Sequence, residues 1–150
     1  KIRPHMTYGT IEFRICDAQR SLKKVEMLTA ICQALVYQST EDIKANTLTE
    51  IFNYEYLQDA LWKSIRFPFD VKIIDPETNN ITTMYEQILK MKSYIQEGLE
   101  NFNNKNINKE IDNILKNGTE CDEQNKIYEQ SGFDSLKKYL INTVDYDYKD

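Results

Sequence analysis

The chain has 150 residues, 41% of them hydrophobic and 29% charged, which is the length and balance of one globular domain rather than of a disordered tail. Nineteen Lys plus Arg against 24 Asp plus Glu give a net charge of -5 with no long basic block, which argues against a grip on nucleic-acid phosphates or on an anionic membrane. No run approaches the roughly 20 apolar residues that a membrane-spanning helix needs, so the expected compartment is the cytoplasm.

The opening Lys-Ile-Arg-Pro-His lacks an initiator Met and leads almost at once into an element. A piece of something longer is expected. Residues Tyr8 to Cys16 alternate with period two, placing Ile11, Phe13 and Ile15 on one face and Thr10, Glu12, Arg14 and Cys16 on the other. This pattern predicts a strand with one apolar face. Asp17 to Ser21 form a polar break, with Ser21 as N-cap of a helix. Val25, Leu28, Ile31, Cys32, Leu35 and Val36 then recur at helical spacing to about Tyr37. Strand and helix are expected to pack their apolar faces together.

Residues Ser39 to Glu50 are polar and read as a connection, with a short helical turn around Glu41 to Lys44. A second helix is predicted from about Asn53 to Ile65, stopped by Pro68. Val71 to Asp75 and Ile81 to Thr83 bracket Pro76-Glu77-Thr78-Asn79-Asn80, which predicts a hairpin. Met84, Ile88, Met91, Ile95, Leu99 and Phe102 give one long helix, and Ile107, Ile111, Ile114 and Leu115 a short one closed by Gly118. A helix over Cys121 to Gln130 should end at Gly132, before a last helix carrying Phe133, Leu136, Tyr139, Leu140 and Val144. The tail Asp-Tyr-Asp-Tyr-Lys-Asp is expected to fray.

Cys16, Cys32 and Cys121 are odd in number and far apart, so neither a disulfide framework nor a zinc site is indicated. Asp122, Glu123 and Glu129 lack the loop spacing that calcium needs, and no Gly-x-Ser-x-Gly elbow accompanies the single histidine, His5. Tyr54, Tyr56, Tyr85, Tyr94, Tyr128 and Tyr139 sit in predicted helices and are expected to be packing residues.

The segment with chemical content is Arg3 to Asp17. Glu12 and Arg14, two apart on a strand, project from the same face with Cα atoms roughly 6.5 to 7 Å apart. A carboxylate there can hold a hard cation such as Mg²⁺ while the guanidinium reaches the phosphate oxygens that the cation bridges. Taken alone, a bare Glu-x-Arg is first read as an ion pair or as two solvated residues on the wet face of a half-buried sheet, and the motif by itself is weak.

Around that pair stand Arg3-Pro4-His5, Gly9-Thr10-Ile11-Glu12-Phe13-Arg14, Asp17 and, at the end of the following helix, Gln33-Ala34-Leu35. In this combination the chain resembles the carboxylate-amine ligases of the glutamate–cysteine ligase type 2 family, in the glutamine-synthetase-like superfamily. The likeness continues more weakly through Trp62, Arg66 and Asp75-Pro76 to the stretch from Gly118 through Tyr128 and Gly132. Where the family has an Asn two residues before the tryptophan this chain has Ala60, and Phe67-Pro68 stands in place of an aromatic-glycine pair.

The resemblance implies an α+β fold of few, mostly antiparallel strands with helices packed on one face. It implies that residues 1–150 are the C-terminal portion of a catalytic domain whose N-terminal half is missing from this sequence. Glu12 matches the strand glutamate that binds the divalent metal, and Arg14 the arginine facing the transferred phosphoryl group. Arg3 and His5 match residues at the mouth of the nucleotide site, and Asp17 fixes the turn after the strand. The implied cofactors are ATP and Mg²⁺. The implied reaction joins the γ-carboxylate of glutamate to an amine such as cysteine through an acyl phosphate, with the isolated chain inactive for want of carboxylates from the missing half. The alternative from a different class is a non-catalytic helical interaction or scaffold module that keeps the strand motif.

Overall fold

The computed structural model describes residues 2–48 and 53–144. The fold is α+β: two small antiparallel sheets, each a two-stranded ribbon, accompany a larger helical content. In chain order the elements are β1 (Ile2–His5), β2 (Thr10–Phe13), α1 (Leu22–Ala45), α2 (Tyr54–Arg66), β3 (Lys72–Ile74), β4 (Ile81–Thr83), α3 (Met84–Tyr94), α4 (Gln96–Asn101), α5 (Ile107–Asn117) and α6 (Glu120–Asn142). They fall into two units, one of residues 1–33 and 118–150, the other of residues 34–117, so that α1 contributes its first half to one and its second half to the other. The tail at residues 145–150 lies outside the described residues.

In the first unit β1 pairs antiparallel with β2, and Gly9, at φ +61°, takes the left-handed conformation at the end of the connecting turn. The ladder is shorter than the alternation from Tyr8 to Cys16, because the partner strand offers only Ile2 to His5. Alternation marks which side chains share a face; hydrogen-bonding partners decide where a strand stops. Phe13 faces Val25, Leu28 and Cys32 of α1 across a cavity of about 450 Å³, so the strand and helix do not close-pack as the sequence predicts. The buried residues of α1 in this unit are Met27 and Ala30, whereas Val25 remains 42% exposed.

α6 begins with a reciprocal capping box, in which the Thr119 hydroxyl accepts from the Asp122 N–H and the Asp122 carboxylate accepts from the Thr119 N–H. Gly132, at φ +75°, breaks its helical path, so the two predicted helices meet at a kink where the glycine was expected to separate them. Arg20, Lys24, Glu120, Tyr139 and Thr143 tie the start of α1 to α6. The Arg20 guanidinium pairs with Glu120, donates to the Thr143 hydroxyl and to the Tyr139 hydroxyl (2.8 Å), and lies 4.4 Å from the Tyr139 ring centroid. Lys24 Nζ adds a second bond to Glu120 at 2.9 Å.

In the second unit the predicted hairpin is present, with Ile73 opposite Thr82 and Ile74 opposite Ile81. Its turn is built by Asp75. The carboxylate accepts from the backbone N–H of Glu77 (2.8 Å) and of Thr78 (3.3 Å), and Asn79 takes the left-handed conformation at φ +57°. Thr83, the last residue of β4, caps α3 in a box with Glu86, which turns the chain directly from strand into helix. The core of this unit contains Ala34, Ile73, Ile95, Leu99, Ile107 and Ile111.

Two helices differ from the sequence reading. α1 runs on to Ala45 through residues read as a connection, with Lys44 paired to Glu41 one turn earlier. Asn46, left-handed at φ +56°, ends it while the Thr47 N–H bonds to the Asp42 carbonyl. The single long helix expected from Met84 to Phe102 is interrupted at Ile95, whose ψ of 1° is off the helical path. The interruption accompanies full burial of both Ile95 and Leu99, and Gly98 lets the backbone close onto Ala34. The tyrosine expectation also needs correcting: Tyr54 and Tyr128 are 71% and 54% exposed.

A Cβ added at Gly98 would lie 2.8 Å from Ala34 Cα and 2.9 Å from its carbonyl oxygen, both backbone atoms that cannot rotate aside. Gly98→Ala is therefore expected to destabilise the protein by about 1–3 kcal/mol in urea unfolding, with no comparable loss for Ser93→Ala on an exposed position.

Asp75 carries a pH prediction. Burial alone pushes its carboxyl up, but the Glu77 N–H, the Gln87 amide, the Thr78 N–H and Lys90 together hold it below the usual carboxylate range. A depressed native value means stability that is present above the unfolded-state pKa and is lost as pH falls through the native one. Asp75→Asn is expected to cost about 1–3 kcal/mol at neutral pH and to flatten the acid limb of a stability-against-pH curve.

Candidate functional site

The β1–β2 ribbon positions the residues of the Arg3-to-Asp17 motif. Antiparallel partners point to the same side, and the register sets Arg3 opposite Glu12 and His5 opposite Thr10. Arg3, His5, Thr10 and Glu12 therefore share one face, while Ile2, Pro4, Ile11 and Phe13 share the other. Pro4, with no N–H to donate, is accommodated in β1, which among the described residues pairs only with β2.

Arg14 follows directly after β2 and turns back to Glu12, with Nε 2.9 Å from Oε2. Both side chains are open to solvent, 50% exposed for Arg14 and 45% for Glu12. The His5 ring lies against Tyr8 with centroids 4.6 Å apart, which fixes the imidazole at the turn end of the ribbon. Asp17 folds on itself: its carboxylate accepts from the Ala18 N–H at 2.8 Å and its carbonyl from the Gln19 amide at 3.0 Å. All four candidate residues, Arg3, His5, Glu12 and Arg14, thus belong to one local cluster. Arg3 and Arg14 outweigh the single carboxylate of Glu12 in charge, a balance that suits a polyanion.

Among the described residues no group of three or more His, Cys, Asp or Glu side chains could hold an ion. Glu12 alone is compatible with a Mg²⁺ that takes most of its oxygen donors from elsewhere.

Trp62 and Arg66 form a separate exposed cluster in the second unit, where the guanidinium lies 5.5 Å from the Trp62 ring centroid and Phe67 meets the ring edge-on at 5.6 Å. A further polar cavity, of about 370 Å³, is lined in part by Asp42, Asp75, Glu77, Lys90 and Tyr94. Its groups are mutually paired: Tyr94 donates to Asp42 at 2.6 Å and Lys90 bridges Asp75 and Glu77. Sequence reasoning left this cavity out, as it left out the Arg20–Glu120 cluster, because each joins residues that no local spacing connects.

Compared with known proteins, residues 1–133 match the family model of glutamate-cysteine ligase family 2, a span that includes the whole ribbon. The chain belongs to that family. Relatives provisionally named glutamate–cysteine ligase 2 include one from Herpetosiphon aurantiacus, 22% identical over 87% of this chain and 34% of its own length. Another, from Solibacter usitatus, is 24% identical over 97% of this chain and 38% of its own length. A third, from Gloeobacter violaceus, reaches 36% identity over 51% of this chain and 21% of its own. The chain spans roughly a third of the length of the first two. No solved structure matches it. Among the described residues no helix is long and apolar enough to cross a membrane.

An exposed ion pair contributes little to folding, so Glu12→Gln is expected to change the unfolding free energy by less than about 1 kcal/mol in denaturant titration. A loss of function in that variant then reports on chemistry rather than on collapse of the ribbon.

Proposed function

We propose that the intact protein is an ATP-dependent carboxylate-amine ligase that joins glutamate, through its γ-carboxylate, to an amine such as cysteine. In this reading the present chain is the C-terminal portion of a glutamine-synthetase-like catalytic domain that works in the cytoplasm. The observation that carries the reading is the shared face of Arg3, His5 and Glu12, with Arg14 folded back onto Glu12, inside the segment matched by the family.

Each residue has a physical task. Glu12 supplies one carboxylate toward Mg²⁺, the remaining donors coming from substrate phosphates and from a part of the protein outside this chain. The metal contributes neutralisation of charge on the phosphates. Arg14 turns its guanidinium from Glu12 to the transferred phosphoryl oxygens at little cost, since an exposed pair is held by only about 0–1 kcal/mol. A planar, always-charged fork facing oxygens on which charge accumulates stabilises the transition state more than the ground state. Arg3 and His5, at the same mouth, contact the nucleotide or hold the turn that frames it. The substrate carboxylate attacks the terminal phosphorus and releases ADP; the amine then attacks the acyl phosphate, and phosphate leaves as the amide forms. No protein nucleophile is needed.

In the intact protein supplied with glutamate, cysteine and Mg-ATP, amine-dependent ADP release is expected. Glu12→Ala and Arg14→Ala should each lower kcat by about a hundredfold or more while circular dichroism and unfolding midpoint stay near those of the parent. Full turnover in both variants would overturn the assignment of these two residues, whereas absence of amine-dependent ADP release from the parent protein is the outcome that a non-catalytic interaction module demands.

A further inference from the structure

The two ends of α6 meet at one side chain. Glu120, its first residue, pairs with the Arg20 guanidinium, and the hydroxyls of Tyr139 and Thr143, at the other end, accept from the same group. A straight helix from Glu120 to Thr143 would span roughly 34 Å, far more than one guanidinium can bridge. α6 is therefore a helical hairpin folded back at Gly132, whose φ of 75° and ψ of -177° belong to a region that essentially glycine alone adopts.

The two arms are held unequally. The first has a second hold, since Lys24 Nζ lies 2.9 Å from Glu120. In the second arm, residues 133–143, Arg20 reaches the Thr143 hydroxyl, the Tyr139 hydroxyl at 2.8 Å and the Tyr139 ring at 4.4 Å. No residue of α6 is buried: Leu136 and Leu140 are half-buried, while Phe133 and Ile141 are 67% and 65% exposed. An arm with so little apolar burial sits at the low end of local stability.

We propose that residues 133–143 form a strap, hinged at Gly132 and latched by Arg20, that opens and closes while the rest of the unit stays folded. The proposal does not depend on the ligase reading. Shut, the strap grips Arg20 from the side opposite Glu120 and so fixes the loop from Asp17 to Arg20 that follows Arg14. Open, it leaves Arg20 to Glu120 alone, and the loop loosens. A Cβ added at Gly132 would meet nothing within 4 Å, so an alanine there acts on the backbone conformation of the hinge and not through crowding.

The test places nitroxide labels on Cys121 and on N142C, exposed positions at opposite ends of α6, in the intact protein with every other cysteine replaced by serine. Their separation is read by pulsed electron paramagnetic resonance. The parent background is expected to give a short distance, well under the roughly 30 Å of a straight helix. R20A should add a longer, broader population, and so should Y139F/T143V, which leaves the Arg20–Glu120 pair in place, and G132A. In the last two variants amide hydrogen exchange over Asp17 to Ser21 should quicken while far-UV circular dichroism stays as in the parent. A distance unchanged in Y139F/T143V or in G132A would overturn the proposal, whatever R20A does to folding. So would a long distance in the parent, or an opened strap with exchange over the loop unmoved.

Discussion

In an antiparallel ribbon, residues directly opposite one another send their side chains to the same side, and the register is fixed by where the turn places its first pair. Here the turn ends at Gly9, His5 meets Thr10, and Arg3 consequently meets Glu12. A slip by one residue would carry Glu12 across the pleat, away from Arg3 and His5, and would turn Ile11 in its place. The chemistry available to the first fourteen residues is therefore a consequence of backbone hydrogen bonding before it is one of side-chain identity. Gly9 matters because a left-handed residue at that point lets the turn close in this register.

The two units are held by different means. In the second, Ala34, Ile73, Ile95, Leu99, Ile107 and Ile111 are buried, and Asp75 organises the hairpin by collecting four donors at once. A buried carboxylate is tolerable there because its hydrogen-bonding capacity is nearly filled. In the first, the loop after the ribbon is anchored to α6 by Arg20, whose guanidinium addresses a carboxylate, two hydroxyls and an aromatic face. Such a planar fork is well suited to several partners that converge from one helix. The loop carrying Asp17 thereby has a fixed far end at Arg20, and the ribbon's exit path is constrained from both sides.

Elements whose signal is local were legible in the sequence. Helical spacing located the helices, Asp-Pro and Asn-Asn located the second hairpin, and the motif around Glu12 and Arg14 located the family and the cluster. What escaped was pairwise and distant. β1 shows no alternation long enough to read, so Arg3 and His5 could be named through resemblance but not placed opposite Glu12 and Thr10 by pattern. The polar residues after Tyr37 carry no apolar stripe, yet α1 continues through them with the i,i+3 pair Glu41–Lys44 on its surface. Glu120 stands a hundred positions from Arg20, and nothing in either neighbourhood announces the other.

A ribbon two strands wide leaves one margin of each strand with amide and carbonyl groups that meet no further strand among the described residues. Ile2 and Ile11, at 62% and 50% exposed, make its less polar side adhesive as well. Such a margin is a template for any extended segment that arrives. At high concentration one copy of the chain can offer that template to another, so its behaviour in solution becomes a matter of dilution as much as of folding.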